Sequence, residues 1–487
     1  MITKIKINGF KSLINTELYF GPFTCIVGAN ATGKSNFFDA LSFLSNLADK
    51  TIVEAAKSVR SENLKHSSIK DIFFHSGEDC KSIISFEVDL LISKNGIDDL
   101  GQTAEATITS LKYSLQLELC DNQSDNQPIK IIYEQLSPIT LTEARKNLFF
   151  KHKKEWRESI LSGRRSNVPF ISTKNGKIKL HQDGNKKGRA AEFIADTMPR
   201  TLLSTATAES PTAFLVRQEM RNWMMLQFEP EALRKPNYTY EVRNAEIEAN
   251  GLNLPATLYR LHTEKKDYDI YQTLTNKVNN LIHNVREITI DEDEKRDLLT
   301  LQVTFKDGLT LPAQSLSDGT LRFLGLAVIE EDTTGSSVVC LEEPENGINP
   351  KKICEMVDLL ENMATDTDEP VDHDNPLRQV IINTHSPIVA SHIPDDTLYL
   401  VTEREMFDDT FSKKITFSAF SALSGTWRTD KKLVETTSLG EIIAYLDGTT
   451  NMQQSKNKKI INPSTTKQVR TVAENIRLQT KLNFDFE

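Results

Sequence analysis

The chain has 487 residues, 38% hydrophobic and 26% charged, with a formal net charge of −10; that length and balance suit a globular protein of roughly two to four structural units. The acidic balance excludes a protein that coats nucleic acid over its whole surface, but not one with a local basic patch. Its five cysteines, Cys25, Cys80, Cys120, Cys340 and Cys354, are odd in number and form no C-x-x-C, which excludes a disulfide or zinc framework and points to reduced thiols in a cytoplasm.

The N-terminus, Met1-Ile2-Thr3-Lys4-Ile5-Lys6, alternates apolar with polar and reads as a strand over 2–7, not a signal peptide. A second strand spans 17–27. Between them lies Asn8-Gly9-Phe10-Lys11-Ser12. The apolar run Phe23–Val27 leads into Gly28-Ala29-Asn30-Ala31-Thr32-Gly33-Lys34-Ser35, which fits G-x-x-x-x-G-K-[ST]. A helix is predicted over 36–60, so the loop sits between strand and helix, as a phosphate-binding loop requires. Its glycines let backbone N–H groups turn towards phosphates at a helix N-terminus. Lys34 is placed to reach the β and γ phosphates and Ser35 to hold Mg²⁺.

Ile83–Leu91, Ala106–Glu118 and Ile129–Tyr133 alternate and are separated by polar turns, predicting antiparallel strands. Residues 141–161 read as helical and basic. Phe170–Leu180 carries Asn175-Gly176 at its centre and predicts a hairpin. Residues 189–222 read as helical with breaks at Pro199 and Pro211, and Trp223–Phe228 as a short strand. A helical stretch runs from Gly251 to about Val285. A second hairpin, Leu299–Phe305 with Leu309–Leu311, turns at Asp307-Gly308. Ser315–Glu330 is a turn entering an apolar helix, Ser337–Leu341 a buried strand, and 350–363 a helix followed by the acidic loop Thr365–Asp374. Strands are predicted at Val380–Asn383 and Thr397–Val401. Past Glu403 the periodicity weakens, and Asn451–Asn462 is polar. No repeat, sustained heptad or apolar run of membrane length is present.

Three downstream motifs add chemistry. Ser315-Leu316-Ser317-Asp318-Gly319-Thr320 places a hydroxyl and a close-approaching glycine backbone at a helix N-terminus, suited to clamping a γ-phosphate, although the same residues also suit a plain turn and N-cap. Val338–Leu341 ends in Glu342 and Glu343. The first carboxylate would orient Mg²⁺ through water and the second would polarise the attacking water. The loop Asn346–Pro350 follows. Val380-Ile381-Ile382-Asn383-Thr384-His385 delivers His385 at a strand end.

In this order the motifs resemble the P-loop, signature, Walker B and histidine switch of ABC-type ATPases of the RecF/SMC/OLD group. Asn8–Ser12 is similar to the group's opening N-F-[RK]-S, and Gly251–Leu254 and Ser438–Glu441 match its habits. Within that group it resembles the AAA-labelled ATPases of bacterial defence operons, such as the ATPase subunits of Septu/retron or PARIS-like systems. It implies an α/β fold: an ABC-ATPase head, a P-loop NTPase with a mixed sheet flanked by helices, carrying a helical and hairpin insertion and a small C-terminal appendix. The expected divisions are 1–136 and 291–405 for the two lobes, 137–290 for the mainly helical insertion and 406–487 for the appendix and tail. The cofactors implied are ATP and Mg²⁺. The implied nucleotide-binding residues are Gly28, Asn30, Gly33, Lys34, Ser35, Asn36, Lys11, Ser317 and Gly319; the metal residues are Ser35 and Glu342; the catalytic residues are Glu343 and His385. The usual Asp-Glu pair is here Glu342-Glu343. A lobe-coupling glutamine is expected after the first helix, but none occurs between Ser35 and Gly101, which leaves His75 as the candidate.

From Arg145 to Arg189 fourteen Lys or Arg stand against three acids, a local charge of +11, interleaved with Phe149, Phe150 and Trp156. Lys151, Lys153, Lys154, Arg164 and Arg165 are the candidate nucleic-acid contacts. A solvated face and a dock for an acidic protein remain open. The implied function is an ATP-driven sensor or regulatory subunit of an anti-phage complex. It would dimerise or form higher homo-oligomers through composite ATP sites and control a separate nuclease or toxin. The alternatives are a RecF-like repair or loading ATPase acting on DNA, and a scaffold that binds ATP and scarcely hydrolyses it. The chain is expected to be cytoplasmic, without a membrane partner.

Overall fold

The computed structural model describes residues 1–59, 68–98, 100–120, 128–164, 168–183, 192–264, 269–282 and 284–446. A seven-stranded sheet organises them, in the order Trp223–Leu226, Val338–Glu342, Gln379–Thr384, Phe23–Val27, Leu398–Asp408, Lys413–Leu423, Glu435–Thr437. The first five run parallel. Gln379–Thr384 and Phe23–Val27 are buried throughout, which explains why Val380–Ile382 and Cys25–Val27 do not alternate with polar residues: a parallel strand covered on both faces has no polar side to show. Successive residues alternate between two cores. Ile26, Val338, Cys340, Ile381 and Tyr399 join one; Cys25, Val27, Val339, Leu341, Val380, Ile382 and Leu398 join the other.

The first core holds the helix Lys34–Leu47, through Phe37, Leu41, Phe43 and Leu44, and the inner face of an antiparallel sheet. That sheet has eight strands, in the order Glu192–Ile194, Lys177–Leu180, Ile171–Lys174, Ile129–Pro138, Ser110–Leu119, Ile83–Leu91, Ile2–Asn8, Thr16–Tyr19. Val88 faces Ile5 on one side and Tyr113 on the other. The second core holds the helices Asp318–Glu331 and Ile353–Met363. Helices thus cover the central sheet on both sides, giving a mixed α/β fold.

Several predicted helices are divided. The helix expected over 36–60 is two, Lys34–Leu47 and Ile52–Ser58, because Thr51 and Glu54 form a capping box that starts a new helix. The segment 141–161 holds Leu141–Asn147 and Lys154–Ile160, and 251–285 holds Leu254–Glu264 and Ile270–Leu281. In 189–222 the described residues form the strand Glu192–Ile194 and the helix Pro211–Arg221, with Pro211 at its first position. Asn175 and Gly176 both have positive φ, 51° and 70°, and close the expected hairpin by pairing Lys174 with Lys177.

The strands of 137–290 are shared among three sheets: 171–194 extends the antiparallel sheet, Trp223–Leu226 edges the central sheet, and Asn237–Tyr238 pairs with Leu298–Phe305. Where the sequence loses its periodicity after Glu403, the strand Leu398–Asp408 continues and pairs antiparallel with Lys413–Leu423, each of eleven residues. The pattern fades because Glu403, Arg404 and Glu405 are all exposed, so neither face of that stretch is apolar. Among the described residues no helix is long and apolar enough to cross a membrane.

Candidate functional site

The parallel strands present their carboxyl ends at one edge, where open α/β sheets gather ligands. Gly28 follows Val27 there, and its N–H donates to Thr384 O at 3.2 Å. A Cβ at Gly28 would stand 2.8 Å from Val401 O, and one at Gly33 2.0 Å from Ser418 Oγ. Gly33 also has φ 91°, so neither position admits a side chain. Lys34 is 5% exposed, and its Nζ lies 2.7 and 2.8 Å from Gly28 O and Ala29 O. Burial lowers its pKa from 10.5, opposed by the pull of Glu343, Glu342 and Glu345. Asn30 is exposed at the loop tip, and Ser35 is half-buried in the first helical turn.

Other segments brace the loop. Ser418 Oγ donates to Thr32 O at 2.8 Å and lies 2.6 Å from Ser12 Oγ. Asn36 Nδ2 donates to Ser12 Oγ at 2.7 Å. Lys11, with φ 44°, pairs with Asp39 at 2.8 Å. The sequence carried no local signal for Ser418, which lies in the stretch of weak periodicity.

Val338–Glu342 stands two strands from Phe23–Val27, a separation of about 10 Å. Glu342 is exposed at its end. Glu343 turns with φ 47°, and its N–H donates to Asn383 O (3.0 Å) and Oδ1 (3.1 Å). Its carboxylate lies 2.8 Å from His385 Nδ1 and 2.9 Å from Asn346 Nδ2. Burial works to raise the Glu343 pKa, but the bonds from Asn346 and His385 and the charge of Lys34 outweigh it and hold it below 4.5. Lys34, Glu343 and His385 are therefore brought together.

Ser317 and Gly319 are not on the same face as the P-loop helix, because their helix packs in the other core. Ser317 caps that helix, its Oγ accepting from Thr320 N. A Cβ at Gly319 would stand 2.3 Å from Gly347 O, and Arg322 Nη1 donates to Asn346 O at 3.1 Å. The signature segment thus rests on the loop that follows Glu343.

His75 lies in a short exposed hairpin and bonds to Lys70 O. The glutamine at the carboxyl edge is Gln227. It follows Trp223–Leu226, whose Leu226 pairs with Leu341, so Gln227 comes next to Glu342. Gln227 is exposed and lines a cavity of about 220 Å³ with Glu342, Glu343, Arg322 and Asn346. The antiparallel sheet intervenes between helix and strand, which is why this glutamine lies so far downstream.

Lys151, Lys153, Lys154 and Arg164 are exposed, while Arg165 lies outside the described residues. Two of the three interleaved aromatics are buried. Trp156 is fully buried and Phe150 is 6% exposed, packed against each other and against Trp427. They close a small core under the basic helices and are not free to stack on bases. Lys154 pairs with Glu158, and the backbone at Lys151 and Lys153 bonds to Thr367 in the acidic loop.

Residues 1–390 match the AAA ATPase domain family. The chain belongs to that family. It is an ATPase-domain protein, and the loop, carboxylates and histidine described above all fall within the matched residues. No curated protein matches the chain. Among solved structures it is similar to an SmcHead bound to the C-winged helix domain of ScpA, at 14% identity and TM-score 0.46, over 87% of this chain and 98% of that one. It is also similar to the SMC head domain from Thermotoga maritima, at 13% identity and TM-score 0.37, over 87% and 99%.

Proposed function

We propose that the carboxyl edge of the central sheet binds ATP with Mg²⁺ and hydrolyses it. The observation that carries this reading is the convergence of Lys34, Glu343 and His385 at one edge, beside a glycine loop packed closely against Val401 and Ser418. The donor set fits the ligand: loop N–H groups and Lys34 for phosphate, Gly28, Asn30, Gly33 and Asn36 around it, and Lys11 at the flank. Ser35 and Glu342 are oxygen donors of the kind Mg²⁺ takes. The ion, when bound, would neutralise phosphate charge. Glu343, held ionised, accepts a proton from water aimed at the γ-phosphate. His385, bonded to Glu343, contacts the same phosphate. Gln227 takes the place of the lobe-coupling glutamine beside Glu342. Ser317 and Gly319, on the far face of the sheet from the P-loop helix, serve the site of a second copy, so two chains share each nucleotide.

Lys34→Ala tests the binding half: it should remove the positive charge that holds the β and γ phosphates and lower ATP affinity by at least about tenfold with the fold retained. Glu343→Gln tests the chemistry: ATP should still bind while turnover falls roughly 100-fold or more. Unchanged affinity in the first variant, or surviving turnover in the second, refutes the assignment.

At the level of the whole protein, the reading is a sensor or regulatory subunit of an anti-phage complex, whose separate nuclease or toxin effector is controlled by ATP-dependent dimerisation. It is supported by the likeness of the ordered motifs to defence ATPases. Co-purification of a nuclease or toxin with the wild type, and its altered retention by Glu343→Gln, is the expected outcome. The second reading, action on DNA itself, is favoured by the exposed Lys151, Lys153, Lys154 and Arg164.

A further inference from the structure

Glu345, two residues beyond Glu343, is 9% exposed. Its Oε1 lies 2.5 Å from Thr384 Oγ1, while its Oε2 is buried with no hydrogen-bond partner among the described residues. Burial raises its pKa, opposed by the Thr384 bond. An enclosed carboxylate with one orphaned oxygen costs stability that an apolar or hydroxyl side chain would not. Packing alone therefore gives no reason for a glutamate here.

Its side-chain partner, Thr384, sits at a junction. The Thr384 hydroxyl donates to Glu345 and accepts from Ser386 N at 2.9 Å, enclosing His385 between two fixed residues. The Thr384 carbonyl accepts from Gly28 N, the first amide of the P-loop. The Glu345 carbonyl accepts from Ile348 N at 3.0 Å, within the turn whose Gly347 touches Gly319. One side-chain bond thus joins the turn after Glu343, the start of the P-loop and the segment carrying His385.

We propose that Glu345 is a positioning residue for ATP hydrolysis: by accepting the Thr384 hydroxyl it keeps Gly28 and His385 in register with Glu343. The inference rests on the reading of the site given above. Because the bond orients groups that act on the γ-phosphate, its loss lowers turnover more than binding. Because it needs an acceptor and not a charge, an amide replaces it.

The test uses the full chain with Glu345→Ala, Glu345→Gln, Thr384→Val and the Ala/Val double variant, with sites counted by bound ATP so that kcat refers to folded protein. Glu345→Ala should lower kcat about tenfold or more with KM within about threefold, and Glu345→Gln should return kcat to within about threefold of wild type. Thr384→Val, which also strips Ser386 N of its acceptor, should lower kcat at least as far as Glu345→Ala, and the double variant should be no worse than Thr384→Val, since both changes remove the same Glu345–Thr384 bond. If Glu345→Ala does not fold, Thr384→Val, which keeps the shape, carries the comparison with Glu345→Gln. Wild-type kcat in Glu345→Ala or Thr384→Val, losses that multiply in the double variant, or an Ala loss that Gln does not recover would overturn the inference alone. A wild type that does not turn over ATP would overturn the hydrolytic reading and this inference together, and is recognised because Glu343→Gln then changes nothing.

Discussion

Lys34 and Glu343 hold opposite charges near one another without touching, each tied to its own neighbours: Lys34 to the loop carbonyls, Glu343 to His385 and Asn346. Gln227 stands beside Glu342, in a cavity it lines with Glu343, Arg322 and Asn346. Gln227→Ala should lower turnover roughly tenfold, the scale of losing one group that positions water or metal, with ATP affinity changed far less. The readout is kcat against Kd for ATP; equal loss in both, or none in either, removes Gln227 from the catalytic edge. The motif residues were legible because each has an unusual type at fixed spacing. Gln227 and Ser418 were not, since a lone glutamine and a lone serine carry no spacing of their own.

Elements are held in place by a few buried polar anchors. Glu134, on the strand Ile129–Pro138, is fully buried and accepts from Leu202 N at 2.7 Å, Leu203 N at 2.9 Å and Tyr113 OH at 3.2 Å. Burial raises its pKa to about 7 against those three donors. Its folded pKa therefore lies above the ordinary 4.5, and the folded state binds this proton more tightly than the unfolded. That contribution is fully present below pH 4.5 and is lost as pH rises through 7, by an upper bound of roughly 3 kcal/mol. Glu134→Gln should flatten the decline of Tm between those two pH values relative to wild type; an unchanged slope would show that the carboxyl is ionised throughout. The strand itself was plain from its alternation. That it anchors 202–203 was not, because sixty-eight residues separate Glu134 from Leu202.

At the scale of the molecule, the P-loop helix and the signature helix lie against opposite faces of one sheet. If a second chain supplies the signature, Lys34→Ala and Ser317→Arg subunits, each inactive, should regain turnover on mixing, to about a quarter of wild type when half the dimers are mixed and each holds one intact site of two. Recovery absent on mixing, or a fully active monomer at high dilution, would exclude a shared site. The basic segment makes a separate prediction. Reversing Lys151, Lys153, Lys154 and Arg164 to Glu should abolish salt-sensitive binding to DNA or RNA, removing about 3–4 from the slope of log affinity against log salt. With Trp156 and Phe150 buried, no preference for single strands is expected. Loss of a co-purifying acidic protein from the same variant, without salt-sensitive binding by the wild type, would make the patch a protein dock.

By itself the sequence determined the scaffold of the candidate site: a strand, a glycine loop and a helix at 23–47, a strand running into Glu342 and Glu343, and a strand running into His385. These are local patterns, fixed by the buried parallel strand and the turn each one needs. Tertiary structure alone decided what depends on contacts between distant segments. It drew Trp223–Leu226 into the central sheet so that Gln227 meets Glu342, brought Ser418 across to brace Thr32, and turned Trp156 inward from the basic face. It also set Glu345 against Thr384, because a side chain's partner across a sheet is chosen by strand order and register, and neither is written in the residues next to it.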